Sequence, residues 1–546
     1  IAVGETLCRL VGKTLARHAS TKERLAKLFP PDQLGAGCQD GATAVALAVR
    51  TLSGESGDDS DKALLKVDFE NAFNCISRRA FLEEVSSELP SLARWVYWCY
   101  SRPTHLWIGD EKPLESSAGV RQGDPLGPLL FSLVLRRVSE KIKTAYPDLD
   151  LHVWYLDDGT LVGSLRAIAH IFEYLSSPEV QELGLHINAG KCEVWWPSGD
   201  HGFPELPPAV KRIPCEGVDI LKIPVGTDAY VAKQLGGVLQ EMRVVLDRLH
   251  LLDDAQSEFT LLRSCLGACK VMYRLRGTAV LNEARIVLQH FDTALREQFE
   301  RILGDSLSEM QWAQATFRPS EGGCGLRRTA DVADAAFLGG TLSACGLTAK
   351  LLRRESVTVP GAASVGATLS ASLDDGARRL VEDALDAVQR GALTCRHRGA
   401  CPTRPQSFLQ FAADKSRGRQ LEAVAGQQGS KCRLDAVRRG HAGAVWAVFP
   451  SHPLGTKLTS TEFRTVAKMW LGLPVYANGG DGVRALLESS AGRITRHDAI
   501  RDILFEACRA AGLRPRRERT VDCTGHKPGD ILLPNWSQGR PLAAVV

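Results

Sequence analysis

His152-Val-Trp-Tyr-Leu-Asp-Asp-Gly-Thr-Leu-Val162 carries the strongest structural signal in this chain of 546 residues. Its pattern predicts a β-hairpin, in which an apolar strand, an Asp-Gly turn and a second apolar strand follow one another. We expect Gly159 to supply the permissive backbone dihedral of the turn. Asp157 and Asp158 then stand side by side at the tip, where their charges repel, and a divalent cation is the usual compensation. An ordinary solvated turn explains this stretch alone equally well.

Two further segments favour the cation. Ala63-Leu-Leu-Lys-Val-Asp-Phe69 reads as a short strand that ends in a carboxylate, Asp68, before the chain passes into a helix. An acid at a strand end and an acidic pair on a neighbouring hairpin can converge on one point, where they would hold two Mg²⁺ ions. Between them, Gly119 to Phe131 is a Gly/Pro-punctuated loop that runs into an apolar helix, with Arg121 and Gln122 placed to meet a nucleotide.

The amino-acid composition limits the class of protein to which this chain can belong. Apolar residues make up 44% and charged residues 24% of the chain, as in an ordinary globular protein, and a net charge of +4 permits basic surfaces without demanding them. The 15 cysteines include no Cys-x-x-Cys pair, which favours reduced thiols in an intracellular protein over disulfides or zinc. We expect no apolar run long enough to span a bilayer, and therefore no membrane partner.

With the three segments in this order, the chain resembles a reverse transcriptase of the non-LTR retrotransposon type. Asp68 matches the metal-binding acid of the first palm motif, and Tyr155-Leu-Asp-Asp158 matches the family's Tyr-x-Asp-Asp motif, which implies that Asp68, Asp157 and Asp158 are the catalytic metal ligands. Phe73 matches the bulky residue that screens the sugar 2′ position. The resemblance places further nucleotide-binding residues at Arg121, Gln122, Gly123, Tyr155 and Lys191. It also places a primer grip at Leu221, Pro224 and Gly226.

The fold implied by this resemblance is α+β, arranged as a right-hand polymerase. We expect partial fingers over residues 1–62, a palm over 63–229 with an antiparallel sheet and helices on one face, and a helical thumb over 230–345. A linker and basic connector over 346–480 would follow, in which residues 356–375 form a linker or loosely held loop. Residues 481–546 would form a truncated α/β endonuclease-like segment.

Both ends of the chain depart from the family pattern. The segment from Ile1 resembles the second fingers motif without the arginine that normally precedes it, so most of the fingers would be missing. Near the other end, Asp530 matches the first metal ligand of a restriction-like endonuclease, but the acid expected after Arg540-Pro-Leu542 is not there. A metal site with one acid cannot assemble, so we expect no DNA cleavage.

The expected function is RNA-directed DNA synthesis, in which a primer 3′-hydroxyl attacks a dNTP with two Mg²⁺ ions as cofactor. The implied partners are an RNA template, a DNA primer or target DNA, and dNTPs, and the expected location is the nucleus, at the site of integration. Two alternatives stay open. One is an inactive remnant of an element, and the other is a nucleic-acid-binding scaffold with a polymerase-like palm. An RNA-dependent RNA polymerase is disfavoured because it usually carries Gly-Asp-Asp at the hairpin.

Overall fold

The computed structural model of this chain describes most of the first 371 residues and shorter segments after them. The described residues are 5–55, 61–106, 113–199, 206–371, 373, 378–379, 382, 404–427, 430–438, 446, 449–475, 501–502, 504–506, 508–509, 515–517, 531–537 and 540–544.

Helices dominate the described part of the chain. They are α1 (Thr6–Arg17), α2 (Ala19–Leu28), α3 (Gly41–Glu55), α4 (Ala72–Cys75), α5 (Arg78–Glu88), α6 (Pro90–Tyr100), α7 (Gly127–Ala145), α8 (Leu165–Leu175), α9 (Pro178–Glu182), α10 (Asp228–Leu249), α11 (Ala255–Cys265), α12 (Cys269–Leu275), α13 (Asn282–Leu303), α14 (Glu309–Thr316), α15 (Thr329–Leu351), α16 (Ala362–Ala371), α17 (Pro405–Gln427), α18 (Lys431–Arg438) and α19 (Ser460–Leu471).

The strands form one five-stranded sheet and three small ones. They are β1 (Lys62–Val67), β2 (Thr104–Leu106), β3 (Leu114–Ser116), β4 (Leu151–Tyr155), β5 (Asp158–Ser164), β6 (Glu193–Trp195), β7 (Lys211–Ile213), β8 (Gly217–Ile220), β9 (Ile223–Gly226), β10 (Arg516–Arg517), β11 (Ile531–Ser537) and β12 (Arg540–Ala544). The large sheet has the order β4-β5-β1-β6-β7, while β2-β3, β8-β9 and β10-β11-β12 pair separately.

The large sheet differs from the expected one in two ways. Its pairs are antiparallel except at the edge, where β7 runs parallel to β6. It also carries helices on both faces rather than on one. Leu65 packs into a core with α5 to α8, and its neighbour Leu64 packs into a second core with α3 and α15. The cause is visible in the sequence, because Ala63-Leu-Leu65 is a continuous apolar run, which suits a strand covered on both faces.

A third core fills the helical region after the sheet. Helices α10 and α13 pack along one another. Leu235 of α10, Phe259 of α11 and Leu295 of α13 are buried together in this core. The chain returns to this core much later, since Trp446 and Phe463 pack on Phe259. No local pattern predicts where these aromatic residues pack, because their partner Phe259 lies far earlier in the chain.

The segment expected to be a loose linker is packed. Within residues 356–375, Val357, Val359, Val365 and Leu369 are buried, and α16 forms around the last two. The prediction rested on the Ser, Ala and Gly content of the segment. It was wrong because such small side chains also allow close packing against α15.

Helix α15 joins two cores. Ala333 and Ala336 belong to the core of the helical region, whereas Phe337 and Leu338 belong to the core that includes the sheet. This helix is long and apolar enough to cross a membrane, contrary to the expectation from sequence, with a mean hydropathy of 1.3 over its most apolar window. Because 83% of that window is buried inside the protein, α15 has the burial of a core helix.

His152 makes the stability of the sheet depend on pH. It is buried on β4, where its Nε2 accepts a hydrogen bond from the Trp154 indole at 3.0 Å. Burial lowers the pKa of His152 to about 4, below the ordinary value near 6.5, although Asp32 opposes the change. Between these values the unfolded chain binds more protons than the folded chain. The contribution of neutral His152 to the free energy of unfolding is therefore fully present above pH ~6.5 and is lost as the pH falls.

We expect the protein to lose about 2 kcal/mol of unfolding free energy through this residue between pH 7 and pH 5. Chemical denaturation of the chain and of His152→Gln at both pH values measures it, and the variant should show the smaller loss. The exposed His250 supplies the control, since His250→Gln should retain the full loss. Equal losses in the wild type and His152→Gln would contradict the assignment.

Candidate active site

The β4-β5 hairpin ends in a two-residue loop. Tyr155 and Asp158 are its last paired residues, so Leu156 and Asp157 form the loop, two positions earlier than the expected Asp-Gly turn. Leu156, with φ +57°, supplies the left-handed conformation that had been assigned to Gly159. Two-residue hairpin loops need such a conformation, whichever residue occupies the position.

Gly159 is required for a different reason. It lies in β5, paired with Trp154 on one side and Val67 on the other. A Cβ at this position would lie 2.5 Å from Cζ3 of Trp154, whose ring is fully buried. The glycine therefore makes room for the indole that supports the hairpin tip.

The strand pairing brings Asp68 to the same tip. Val67, the last residue of β1, pairs with Gly159, so Asp68 directly after the strand comes next to Asp158. The segment after residue 184 holds Asp68 from the other side, because Asn188 donates its backbone N–H to the Asp68 carbonyl at 2.9 Å and Cys192 Sγ accepts from the Asp68 N–H at 3.4 Å. Adjacent antiparallel strands thus deliver acids from two distant segments to one sheet edge.

The three carboxylates interact electrostatically. Partial burial raises the pKa of Asp157, and the charge of Asp68 raises it further. Asp158 reaches solvent, yet the surrounding protein and the charges of Asp157 and Asp68 raise its pKa to about 6. Lys66 and Lys222 act in the opposite direction. These like-charge effects follow from the strand pairing, which brings the acids to one edge of the sheet.

This donor set suits Mg²⁺. It offers carboxylate oxygens, which hard divalent cations prefer, and it carries a repulsion that a cation would relieve. Across the residues that the structure describes, no three His, Cys, Asp or Glu side chains are already gathered tightly enough to form a ready-made metal site. The acids therefore converge without being fully assembled.

Phe73 lies beside these acids in sequence and is held rigidly. Its ring stacks on Phe131, with ring centroids 4.6 Å apart, and its carbonyl accepts the N–H of Val120 at 2.8 Å. Gly119 makes this contact possible, because a Cβ there would lie 2.2 Å from the Asn74 carbonyl oxygen. The loop that carries Arg121 is thus fastened directly next to Phe73.

Arg121 is already engaged by protein groups. Its guanidinium donates to the Cys99 carbonyl and lies 5.1 Å from the centroid of the Tyr100 ring, while Tyr100 donates its hydroxyl to Asp124 at 2.5 Å. Gln122 is exposed on the same loop, and Gly123 has φ +82°. A role for these residues in binding a nucleotide stays a prediction.

The remaining expected residues lie around the tip. Tyr155 is half-buried at the end of β4, and Lys191 is exposed in the turn after Asn188. In the β8-β9 hairpin, the Pro224 carbonyl accepts from Arg50 at 3.2 Å and from Thr278 at 3.1 Å. Gly226 has φ +154°, and a Cβ there would lie 2.2 Å from the Glu216 carbonyl oxygen.

Sequence reasoning named Leu221 on this hairpin but missed Lys222 beside it and the residue that holds the turn. Leu221 and Lys222 form its turn, both with positive φ, at 50° and 68°. Tyr273 of α12 donates its hydroxyl to the Leu221 carbonyl at 2.9 Å. The charge of Lys222 opposes the rise in the pKa of Asp158, and burial together with the charge of Asp158 raises the pKa of Tyr273. The two hairpins therefore face each other. No local pattern signals a contact between positions 221 and 273.

The part of the chain that holds this sheet edge, the three acids and most of the two hairpins resembles a known protein family. Residues 5–221 match the family described as "Reverse transcriptase (RNA-dependent DNA polymerase)". The matched range contains the five-stranded sheet and the three acids, and its elements combine helices and strands.

A retrotransposon protein is among the relatives of the chain. Over 293 residues the chain is 28% identical to the retrotransposable element SLACS 132 kDa protein of Trypanosoma brucei gambiense, an alignment that covers 50% of this chain and 23% of that protein. The chain thus spans a minor part of the length of this relative.

Two solved structures are similar to the chain at low levels. One is telomerase from Candida albicans with a TWJ fragment of telomeric RNA, with a TM-score of 0.32, 12% identity, and coverage of 69% of this chain and 56% of that one. The other is apo telomerase from Candida tropicalis, with a TM-score of 0.31, 10% identity, and coverage of 75% and 61%.

Replacing Gly159 should disturb the tip through Trp154. We expect Gly159→Ala to lower the free energy of unfolding by roughly 1–3 kcal/mol, because the new methyl group overlaps the indole. Gly237 in α10 is the matched control, since a Cβ there meets nothing within 4 Å. Gly237→Ala should be stabilising by about 0.5–1 kcal/mol. Thermal denaturation of both variants checks the pair, and a neutral Gly159→Ala would contradict the packing argument.

Proposed function

We propose that this chain is the RNA-directed DNA polymerase part of a non-LTR retrotransposon protein, extending a primer 3′-hydroxyl with dNTPs on an RNA template. The observation that carries the proposal is the convergence of Asp68, Asp157 and Asp158 at one edge of the sheet, within a domain that matches the reverse transcriptase family. The relative from a retrotransposon supports the kind of element.

The three acids have separable roles in this proposal. Asp68 and Asp157 would hold two Mg²⁺ ions, and Asp158 would stay more peripheral because it is the most exposed of the three. When bound, the ions would favour ionisation of the primer hydroxyl and stabilise the charge on the leaving pyrophosphate. The chain itself fixes where the reacting groups meet, since two antiparallel strands set the positions of the acids.

Other residues would position the substrates. Phe73, held by Phe131, would form the wall against which the sugar of the nucleotide packs, and its bulk would exclude a 2′-hydroxyl. The β8-β9 hairpin would hold the primer end near Asp158, with Lys222 contributing a positive charge for a phosphate. Arg121, Gln122, Gly123 and Lys191 would bind the nucleotide. For Arg121 this requires that the guanidinium leave the Cys99 carbonyl.

Two features of the proposal concern the rest of the protein. We propose that residues 481–546 are a remnant of a restriction-like endonuclease. Its strands β11 and β12 pair in the structure, while Asp530 lies outside the described residues. The proposed place of action is the nucleus, because a retrotransposon copies itself into chromosomal DNA.

An inactive remnant and a nucleic-acid-binding scaffold are the competing functions. Neither needs three acids that repel one another, since an unused acidic cluster only reduces stability. Primer extension by the 546-residue chain on an RNA template decides among them. Labelled dNTP incorporation supports the polymerase. Template binding without incorporation supports the scaffold, and neither binding nor incorporation supports the remnant.

Removing one charge from the acidic set should abolish synthesis. We expect Asp157→Asn to reduce incorporation at least 100-fold while leaving template binding within about twofold, because the amide cannot replace an anionic metal ligand. Asp148→Asn, at an exposed acid shortly before the same hairpin, is the control and should retain full incorporation. Comparable incorporation by Asp157→Asn and wild type would refute the metal assignment.

Shrinking Phe73 should change the choice of sugar. Phe73→Ala removes the ring that would meet the 2′ position, so we expect the preference for dNTPs over rNTPs to fall at least tenfold, measured as the ratio of kcat/KM values. Phe69→Leu is a useful comparison, because Phe69 is buried beneath Trp154 and should affect stability rather than sugar choice. An unchanged ratio in Phe73→Ala would remove Phe73 from the proposed site.

A further inference from the structure

The backbone of Leu156 adopts a conformation that a leucine does not favour by itself. Its φ of +57° lies in the left-handed region, where the Cβ of an ordinary residue crowds the following carbonyl oxygen. Glycine, asparagine or aspartate is the usual occupant of such a position. Something outside the loop must therefore keep Leu156 in place, and Asp157 directly follows it.

The segment just before α3 runs alongside the end of β4. Trp154 donates its N–H to the Asp32 carbonyl, and Leu34 donates its N–H to the Trp154 carbonyl, both at 2.8 Å. These two bonds form a parallel bridge between Gln33 and Trp154. The backbone of Gln33 is thus fixed to the strand two residues before the loop, and its side chain can reach the loop itself.

The Gln33 side chain bonds to both backbone groups of Leu156. Its Oε1 accepts the Leu156 N–H at 2.8 Å, and its Nε2 donates to the Leu156 carbonyl at 3.1 Å. The same Oε1 accepts the Gly35 N–H at 2.9 Å, which fixes the orientation of the carboxamide. Only a side-chain amide offers an acceptor and a donor in this geometry without adding a charge next to Asp157.

Gly35 lies in direct contact with the same loop. A Cβ at this position would lie 2.5 Å from Leu156 Cγ and 2.6 Å from Leu156 N, so the backbone of the segment touches the loop directly. Gln33 is only 6% exposed, which shields its hydrogen bonds from competing water. We call Gln33, Gly35 and Leu156 together the glutamine clamp.

We propose that Gln33 is a positioning residue for Asp157, which keeps Leu156 in its left-handed conformation and thereby sets where the Asp157 carboxylate points. The inference rests on the proposed function only for its catalytic consequence. A loop relaxed to negative φ would redirect the chain at Asp157, and the acid would leave the set that it forms with Asp68 and Asp158.

The test uses two variants that break the clamp independently. Gln33→Met keeps the volume and removes both hydrogen bonds to Leu156 together with the one to Gly35, whereas Gly35→Ala inserts a methyl group against Leu156. Each should speed amide hydrogen exchange in residues 155–158 about tenfold, consistent with the loss of two buried hydrogen bonds. Each should also weaken Mn²⁺ binding, measured by electron paramagnetic resonance of the chain without substrates, by roughly tenfold. Gln39→Ala, at an exposed glutamine of the same segment, should change neither quantity.

A second substitution separates positioning from general stability. Leu156→Gly removes the cost of a positive φ, so in that background Gln33→Met should recover Mn²⁺ affinity and primer extension to within about threefold of the wild type. A purely structural role for Gln33 would give no recovery. That result, or unchanged exchange and Mn²⁺ binding in both Gln33→Met and Gly35→Ala, would overturn the proposal.

The outcomes for the clamp and for the proposed function are distinguishable. If the wild type neither binds Mn²⁺ nor extends primers, the polymerase proposal fails. The exchange rates of residues 155–158 still report whether Gln33 holds Leu156. If the wild type is active but its activity and exchange are insensitive to Gln33→Met and Gly35→Ala, only the clamp fails.

Discussion

The repulsion among three carboxylates is the constraint on which the rest of this structure depends. Partial burial and the charge of Asp68 raise the pKa of Asp157, and burial and the charges of Asp157 and Asp68 raise the pKa of Asp158, so the fold must supply the free energy that holds these acids together. It does so with backbone hydrogen bonds rather than with counter-charges alone. The pairing of β1 with β5 places two of the acids next to each other, and the segment around Asn188 fastens Asp68 from behind.

The two helical layers explain how such an edge can be rigid. A sheet covered on one face could bend at its tip, whereas this sheet has cores on both faces, with Leu64 in one and Leu65 in the other. Trp154 extends the support to the hairpin itself, since its buried ring lies against Gly159 and stacks on Phe69. Packing of this density leaves the acids few alternative positions, which is what preorganised catalysis requires.

Local patterns in the sequence predicted the main parts of the site. Two apolar strands around an Asp-Gly turn predicted the hairpin, and an acid after a short apolar run predicted the end of β1. The same patterns misplaced the turn, because Asp-Gly is the commoner signal and nothing local shows that Gln33 stabilises a left-handed leucine. Tyr273 was missed for the same reason, since its partner lies 52 positions earlier. Residues 356–375 were misjudged because composition does not distinguish small residues in a loop from small residues in a close-packed helix.

Helix α15 has a mechanical consequence. Residues of this one helix belong both to the core around the sheet and to the core of the helical region. The helix therefore connects the two parts of the protein mechanically. Gly340 brings it so close to the Arg276 carbonyl that a Cβ there would lie only 2.1 Å from the oxygen. Any movement of the helical region relative to the sheet must therefore carry α15 with it or disrupt its packing in one of the two cores.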